Sequence, residues 1–198
     1  MANSYLSRTP GTATNNNKFT LSVWAKRSAL TGDYQAIFAS RISGGGGSGL
    51  GLFWGNDNSV WYNSGTSSSA IQNTSTSAKF RDTSAWYHIV VAGDTTQSGT
   101  DKLKIWVNGV QQTSFGNDGR SSFVGLSYDL GNATYANEIG RKHDGTYYYD
   151  GYLSHIAFVD GTALTPTSFG ETDSTSGIWK FKAPSGVTWG NNGFHLKF

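Results

Sequence analysis

The chain has 198 residues, of which 36% are hydrophobic, 14% aromatic and only 14% charged. This length suits one large β-sandwich, and low charge beside abundant Gly, Ser, Thr and Asn is typical of strands and loops rather than helices. The formal net charge is +2 with Lys and Arg scattered along the chain, which argues against a nucleic-acid partner, and the lack of cysteine excludes disulfides and thiolate sites.

The first half of the chain shows period-two alternation. In segment 18–26, one face would carry Phe19, Leu21, Val23 and Ala25, and polar residues and Trp24 the other, which predicts a strand with one dry face. Shorter strands are predicted at 34–39, 49–54 and 60–62, with a glycine-rich loop at 44–47.

A hairpin is predicted in the middle of the chain. Segment 86–92 is β-branched and aromatic, which favours a central strand. Segment 102–107 alternates, with Leu103, Ile105 and Val107 predicted to point inward. Asn108-Gly109 is a strong two-residue turn signal because both residues tolerate positive φ, so 110–112 should fold back.

The remaining segments complete an all-β pattern. A long loop with one short strand is predicted over 117–137, a strand over 138–141, and one long strand or two broken at Gly151 over 147–159. Thr165 and Pro166 predict a helical turn. The alternating end of the chain (194–198) should pair near strand 5–7. Around a dozen short strands predict one sandwich or barrel domain, 1–198.

Several segments resemble laminin-G-like, concanavalin A-like domains, and more narrowly the versions found in virion and tail-fibre proteins of tailed bacteriophages. The opening segments that carry the resemblance are Tyr5-Leu6-Ser7-Arg8-Thr9-Pro10 and Phe19-Thr20-Leu21-Ser22-Val23-Trp24-Ala25-Lys26-Arg27-Ser28. The central and later ones are Trp86-Tyr87-His88-Ile89-Val90, Lys104-Ile105-Trp106-Val107-Asn108-Gly109, Ile139-Gly140-Arg141, the stretch 150–161, Leu164-Thr165-Pro166, Phe169-Gly170 and the stretch 193–198.

The resemblance implies an all-β, two-sheet antiparallel jelly-roll sandwich and a non-enzymatic role in a phage virion. The protein would be associated with the tail fibre or decorate the head, with other virion proteins as partners. The alternative is a free-standing carbohydrate-binding lectin module that contacts host surface polysaccharide.

The expected location is the virion, after synthesis in the bacterial cytoplasm. The first residues show no signal-peptide pattern, and no stretch is apolar enough to span a membrane. Low charge and many aromatic residues also predict a homo-oligomer.

Catalysis is not expected. The Glu-x-Asp-x-x-Glu pattern of glucanases on this fold is absent, and the only two glutamates, Glu138 and Glu171, lie in different neighbourhoods. There is no Gly-x-Ser-x-Gly elbow. His88, His155 and His195 fall in predicted strands, where a hydrogen-bonded, half-buried imidazole is the commoner arrangement. No cofactor is predicted to be required.

Aromatic residues beside amide and carboxylate side chains are the candidates for carbohydrate binding, because the C–H face of a sugar packs on a ring while polar groups take the hydroxyls. These candidates are Trp54, Asn56, Asp57, Trp61, Tyr62, Tyr147, Tyr148, Tyr149 and, more weakly, Trp189. The three tyrosines are predicted to lie in a strand. The alternative is that these rings fill the core or a subunit contact.

A calcium ion is the one metal that the resemblance suggests, since folds of this kind often hold Ca²⁺ at a sandwich rim. The candidate ligands are Asp144 and Asp150, with Asp33 or Asp57 as alternatives. Ordinary turn aspartates are the competing interpretation.

Overall fold

The structure is a computed structural model that describes residues 4–40, 50–65, 71–126, 130 and 135–198. The first strands are β1 (Leu6–Arg8), β2 (Lys18–Arg27), β3 (Gln35–Ser40), β4 (Leu50–Trp54), β5 (Val60–Gly65), β6 (Ile71–Thr76), β7 (Tyr87–Asp94) and β8 (Leu103–Val107). The later strands are β9 (Val110–Gln111), β10 (Phe115–Asp118), β11 (Asn137–Ile139), β12 (Gly151–Asp160), β13 (Gly170–Thr172), β14 (Trp179–Phe181) and β15 (Phe194–Leu196). The predicted glycine-rich loop at 44–47 lies outside the described residues.

Helix is confined, over the described part of the chain, to short 3₁₀ turns. These turns are Gly99–Lys102, Arg120–Ser122 and Pro166–Ser168. The last confirms the helical turn predicted at Thr165 and Pro166, with proline at its first position. No helix within the described ranges is long and apolar enough to cross a lipid bilayer.

Two antiparallel sheets form the sandwich, which confirms the predicted fold class. The seven-stranded sheet has the order β1-β11-β3-β4-β5-β6-β10, and the six-stranded sheet has the order β15-β12-β2-β7-β8-β9. Strands β13 and β14 pair separately as a two-stranded ribbon.

The core lies between the two sheets. Leu103, Ile105 and Val107 are at most 4% exposed, which confirms that this face of β8 points inward. The rings of Phe19, from the six-stranded sheet, and Tyr62, from the seven-stranded sheet, stack with centroids 5.7 Å apart. A fully buried side chain of this size contributes roughly 1.5–3 kcal/mol of transfer free energy.

The predicted hairpin is present. Asn108 and Gly109 have φ of 49° and 78°, the left-handed values that a two-residue turn between twisted strands requires. β8 pairs with β9 through Val107 and Val110.

The end of the chain is paired into a sheet near the N-terminal strand, as predicted, but the two terminal strands do not pair with each other. β1 pairs with β11 at the edge of the seven-stranded sheet, whereas β15 pairs with β12 at the edge of the six-stranded sheet. Each terminal strand extends the sheet that it borders. An apolar cleft of about 290 Å³, lined among others by Leu6, Ile139 and Phe194, therefore separates them.

The strand predicted over 147–159 begins only at Gly151. Tyr147 has φ of 51°, which is not strand backbone, so the three tyrosines precede β12 instead of lying in it. A register shift between Ser154 and Ala157 marks a β-bulge opposite β2.

The buried carboxylate of Asp160, at the end of β12, joins distant parts of the chain. It accepts hydrogen bonds from the backbone N–H of Thr14 at 2.8 Å and of Asn192 at 3.2 Å. The side chain of Asn192 in turn accepts from the N–H of Gly11 at 2.8 Å. We call this arrangement of Gly11, Thr14, Asp160 and Asn192 the Asp160 clasp.

Candidate ligand-binding site

Two of the predicted binding residues lie in the core. Trp54 and Tyr62 are 0% exposed, because they fall on the same side of their strands as Leu52 and Val60, which face the six-stranded sheet. A ring enclosed on all sides cannot stack on a sugar, so their prediction as binding residues is wrong.

Trp61 faces the opposite way, between Val60 and Tyr62 on β5. Its half-buried indole lies on the outer face of the seven-stranded sheet, where it packs with Tyr147 over the buried group Ala36, Ala39 and Phe53. Register supports this layer, since Trp61 pairs with Phe53 and Phe53 with Ala36.

Tyr34, immediately before β3, joins these two rings. Its ring centroid lies 5.5 Å from that of Trp61 in an edge-on arrangement, and 5.5 Å from that of Tyr147. The fold thus brings together rings from two separate segments of the chain, both of which contain predicted binding residues. We call Tyr34, Trp61 and Tyr147 the aromatic cluster.

Asp57 supplies charge beside the cluster. Its carboxylate accepts hydrogen bonds from Lys79 and from the hydroxyl of Ser59. Burial opposes its ionisation, but these hydrogen bonds outweigh that effect and hold the pKa of Asp57 well below its ordinary value. Burial, with a further contribution from Asp57, raises the pKa of the Tyr34 phenol.

A second charged pair lies at the other side of the cluster. Lys142 Nζ is 5.0 Å from the ring centroid of Tyr147 and 2.7 Å from a carboxylate oxygen of Asp144. The rings are therefore flanked by Asp57–Lys79 and Asp144–Lys142, which supply both hydrogen-bond donors and acceptors.

Gly55 sets the position of the Trp61 ring. A Cβ atom at Gly55 would lie 2.3 Å from Trp61 Nε1 and 2.8 Å from a carboxylate oxygen of Asp57. Only a residue without a side chain leaves space for the indole there.

The remaining predicted aromatics do not join the cluster. Tyr148 is half-buried beside Arg141, which donates a hydrogen bond to its hydroxyl. Burial raises the pKa of Tyr149, whose hydroxyl lies against Trp54. Trp189 stacks on His195, with centroids 5.9 Å apart, on the side of the six-stranded sheet. Asn56 is exposed in the β4–β5 turn.

Of the two calcium candidates, Asp144 has its carboxylate engaged in local contacts. Asp144 accepts from the N–H and hydroxyl of Thr146 and from Lys142. Although burial opposes this, the hydrogen bonds from Lys142 and Thr146 lower its pKa to about 2. The backbone of Asp150 is bonded to Ser28. In the described ranges, no group of three His, Asp or Glu side chains has an arrangement that could hold a metal ion.

His88 is a hydrogen-bonded strand histidine, as predicted. The indole Nε1 of Trp179 can only donate, and it lies 2.9 Å from His88 Nδ1, so that nitrogen is an acceptor. His88 Nε2 therefore carries the hydrogen and donates to Ser22 Oγ at 2.8 Å. Burial lowers the pKa of His88 to about 3. An imidazole in this tautomer cannot take a proton from Ser22 through Nε2, so the pair is not a nucleophile with its base.

These features define a lectin-like β-sandwich with an aromatic cluster on one outer face. Residues 1–168 match the model described as the Concanavalin A-like lectin/glucanases superfamily, and the chain belongs to that superfamily. No curated protein matches the chain in sequence.

Solved structures show the same fold at low sequence identity. The heptameric SAP-like pentraxin from Limulus polyphemus is 14% identical, with a TM-score of 0.52, and the match covers 98% of this chain and 95% of the pentraxin. A NanB sialidase mutant from Streptococcus pneumoniae is 13% identical, with a TM-score of 0.56 over 88% of this chain and 28% of the sialidase. Trypanosoma rangeli sialidase is 15% identical, with a TM-score of 0.51 over 77% of this chain and 22% of that chain. The chain thus spans under a third of either sialidase.

Proposed function

We propose that this protein recognises glycans without chemically altering them, and that it binds them on the outer face of the seven-stranded sheet. The observation that carries the proposal is the aromatic cluster, in which Tyr34, Trp61 and Tyr147 meet at 5.5 Å centroid distances while staying half-exposed. The lectin-like fold is consistent with it.

The chemistry of the cluster suits a sugar ring. The C–H face of a pyranose packs on an aromatic face, and its hydroxyls need both donors and acceptors. Asp57 and Asp144 supply acceptors, and Lys79 supplies donors, at the borders of the rings. Because each acid already has a cation, the site as a whole suits a neutral saccharide.

Support for a non-catalytic role comes from the glutamates. Glu138 on β11 is held by two hydrogen bonds from Arg141, at 2.7 and 2.9 Å. Glu171 on β13 lies 3.7 Å from Lys180. A glycosidase needs two carboxyl groups that face one bond with opposite protonation states. The two glutamates belong to different sheets, and the lowered pKa of Asp57 and of Asp144 beside the cluster keeps both of these carboxyl groups ionised.

The test is binding to an array of bacterial surface polysaccharides, with calcium and with chelator. We expect Trp61→Ala and Tyr147→Ala each to weaken binding at least about tenfold, because stacking contacts carry much of the affinity. Tyr152→Ala, which removes a 63% exposed ring from the other sheet, is the control. Full binding by Trp61→Ala would refute the proposed site.

A virion role is a second candidate, supported by the phage-like segments and by one surface. Tyr5, Leu6 and Phe198 are 43%, 48% and 58% exposed along the open edge of the sandwich, beside the cleft between β1 and β15. An exposed apolar edge suits contact with a neighbouring virion protein or a second copy of the chain.

Mass spectrometry of purified phage particles tests the virion role. We expect the wild-type chain to be incorporated and Leu6→Asp to be lost from particles, because a charge at this edge opposes an apolar contact. Light scattering of both proteins measures the predicted homo-oligomer. Particles that lack the wild-type chain would rule out the structural role.

A further inference from the structure

A second aromatic surface lies on the opposite face of the sandwich, and a segment beyond the family match builds part of it. The match ends at residue 168, whereas the β13–β14 ribbon follows it. The ribbon packs on the outer face of the six-stranded sheet. There Trp179 stacks over His88 with a centroid distance of 6.0 Å, and Phe181 stacks on His155 at 3.6 Å.

A groove of about 350 Å³ lies between the ribbon and the sheet. Trp24 and the 39% exposed Trp86 line it together with Trp179 and Phe181 from the ribbon, and Ser154 and His155 add polar groups. This volume is near the lower end of small-ligand pockets, which span ~300–1,000 Å³. Aromatic rings with a hydroxyl and an imidazole among them match a sugar ring better than a purely apolar ligand.

The β-bulge of β12 brings these polar groups into the groove. Strict alternation would send Ser154 and His155 to opposite faces, but both line the outer groove while Ile156 is 0% exposed in the core. His155 has φ of 47°, a left-handed value that a non-glycine residue rarely adopts. Such bulges and strained residues recur beside binding sites, where they re-aim a side chain.

His195 fixes the ring of His155. The Nδ1 atom of His155 lies 3.4 Å from His195 Nε2, so His155 Nε2 is the ring nitrogen left to bond a ligand in the groove. Burial lowers the pKa of both imidazoles, which favours their neutral forms.

The charges at the groove indicate a neutral ligand. Lys180 lines it, but its ammonium lies 2.8 Å from Asp173 and 3.7 Å from Glu171. A cation already paired with two carboxylates has little attraction left for an anionic sugar.

We infer that this groove is a second carbohydrate site, for a neutral pyranose, so that one chain binds two glycans on opposite faces. The inference rests on the proposed function only for the chemistry of the ligand, since the two sites share no residue. Two sites facing opposite ways would let one chain bridge two polysaccharide strands and gain avidity.

Isothermal titration with cellohexaose, maltohexaose, mannohexaose and chitohexaose tests the inference. We expect at least one of them to bind wild-type protein at two sites per chain. Trp86→Ala and Trp61→Ala should each leave one site, and the double variant none, with each lost site weakened at least tenfold. Ile178→Ala, a 66% exposed ribbon residue outside the groove, is the matched control and should keep both sites. Circular dichroism melts confirm that each variant folds.

The outcomes separate the two proposals. One site that Trp61→Ala abolishes and Trp86→Ala leaves intact overturns the second site and keeps the first. One site that only Trp86→Ala abolishes overturns the aromatic cluster as a glycan site and keeps the groove. No binding of any of the four hexasaccharides by wild-type protein overturns both.

Discussion

The two outer faces of the sandwich use aromatic residues in different ways. On the seven-stranded sheet, Trp61, Tyr34 and Tyr147 meet edge-on or tilted and remain half-exposed above a layer of small residues. On the six-stranded sheet, Trp24, His88 and Trp179 stack in a nearly parallel column that the ribbon covers. The seven-stranded sheet therefore keeps its outer rings available to ligands, while the six-stranded sheet uses most of its outer rings to anchor the ribbon and leaves only a groove beside it.

The largest predicted contrast between the faces is in stability. Trp179→Ala should lower the free energy of unfolding by about 4 kcal/mol, because it removes a large packed ring and leaves buried His88 Nδ1 without its donor. Trp61→Ala should cost only about 1–2 kcal/mol, since its Nε1 has no hydrogen-bond partner among the described residues and its loss leaves no buried acceptor unpaired. Urea denaturation measures both. Equal costs would contradict the contrast.

Acid should lower the stability of the protein mainly through His88, on the outer face of the six-stranded sheet that the ribbon covers. The folded-state pKa of His88 is about 3, below the ordinary value of 6.5, so the unfolded chain binds more protons between these two values. Stability should therefore fall as the pH drops through that window, and His88 should account for about 3 kcal/mol of the loss by pH 4.

His88→Gln isolates this contribution. Glutamine keeps one donor and one acceptor but does not titrate, so the variant should show a flatter stability profile between pH 7 and pH 4 than the wild type. Parallel profiles in urea denaturation would mean that His88 is protonated in the folded protein well above pH 3.

Glycan binding at the aromatic cluster should depend on the close packing of Gly55 against the Trp61 ring. Gly55→Ala places a methyl group 2.3 Å from Trp61 Nε1, so the ring must shift. We expect a loss of about 1 kcal/mol in stability and about a tenfold loss in glycan affinity by titration. Gly11→Ala is the control, since its methyl group would meet its nearest neighbour at an ordinary 3.7 Å. Unchanged affinity in Gly55→Ala would show that the indole position is unimportant.

Of the changes considered, removal of calcium should have the smallest effect on stability. Because Lys142 and Thr146 already satisfy Asp144, chelator should change the melting temperature by less than ~1 °C. Scanning calorimetry with calcium and with chelator measures this. A stabilisation by calcium that Asp144→Asn removes would restore the rim site suggested by the family resemblance.

The main strands could be predicted because their signals are local. Leu103, Ile105 and Val107 alternate strictly, and Asn108-Gly109 specifies its own turn. The same alternation already separates Trp61 from its neighbours Val60 and Tyr62, so the burial of Tyr62 was available from the sequence. β6 was missed because its Ser, Thr, Asn and Gln residues resemble a loop when read without their sheet partners.

The parts that could not be predicted depend on distant contacts. Tyr34 lies outside β3, and only the fold brings it between Trp61 and Tyr147. The bulge at His155 reverses the inward-outward alternation partway along β12, and a strictly alternating sequence pattern cannot predict where such a reversal occurs. The partners of the terminal strands β1 and β15 also depend on distant contacts, since β1 pairs with β11 and β15 with β12, in different sheets.

The Asp160 clasp has a consequence for the order in which the protein is made. The carboxylate of Asp160 accepts a hydrogen bond from the N–H of Asn192, and the side chain of Asn192 accepts one from Gly11, which is synthesised 181 residues earlier. The loop around Thr14 can therefore reach its final position only after the segment around Asn192 has left the ribosome. A nascent chain stalled before Asn192 would expose a protease-sensitive loop near its beginning, although most of its sheets could already have formed.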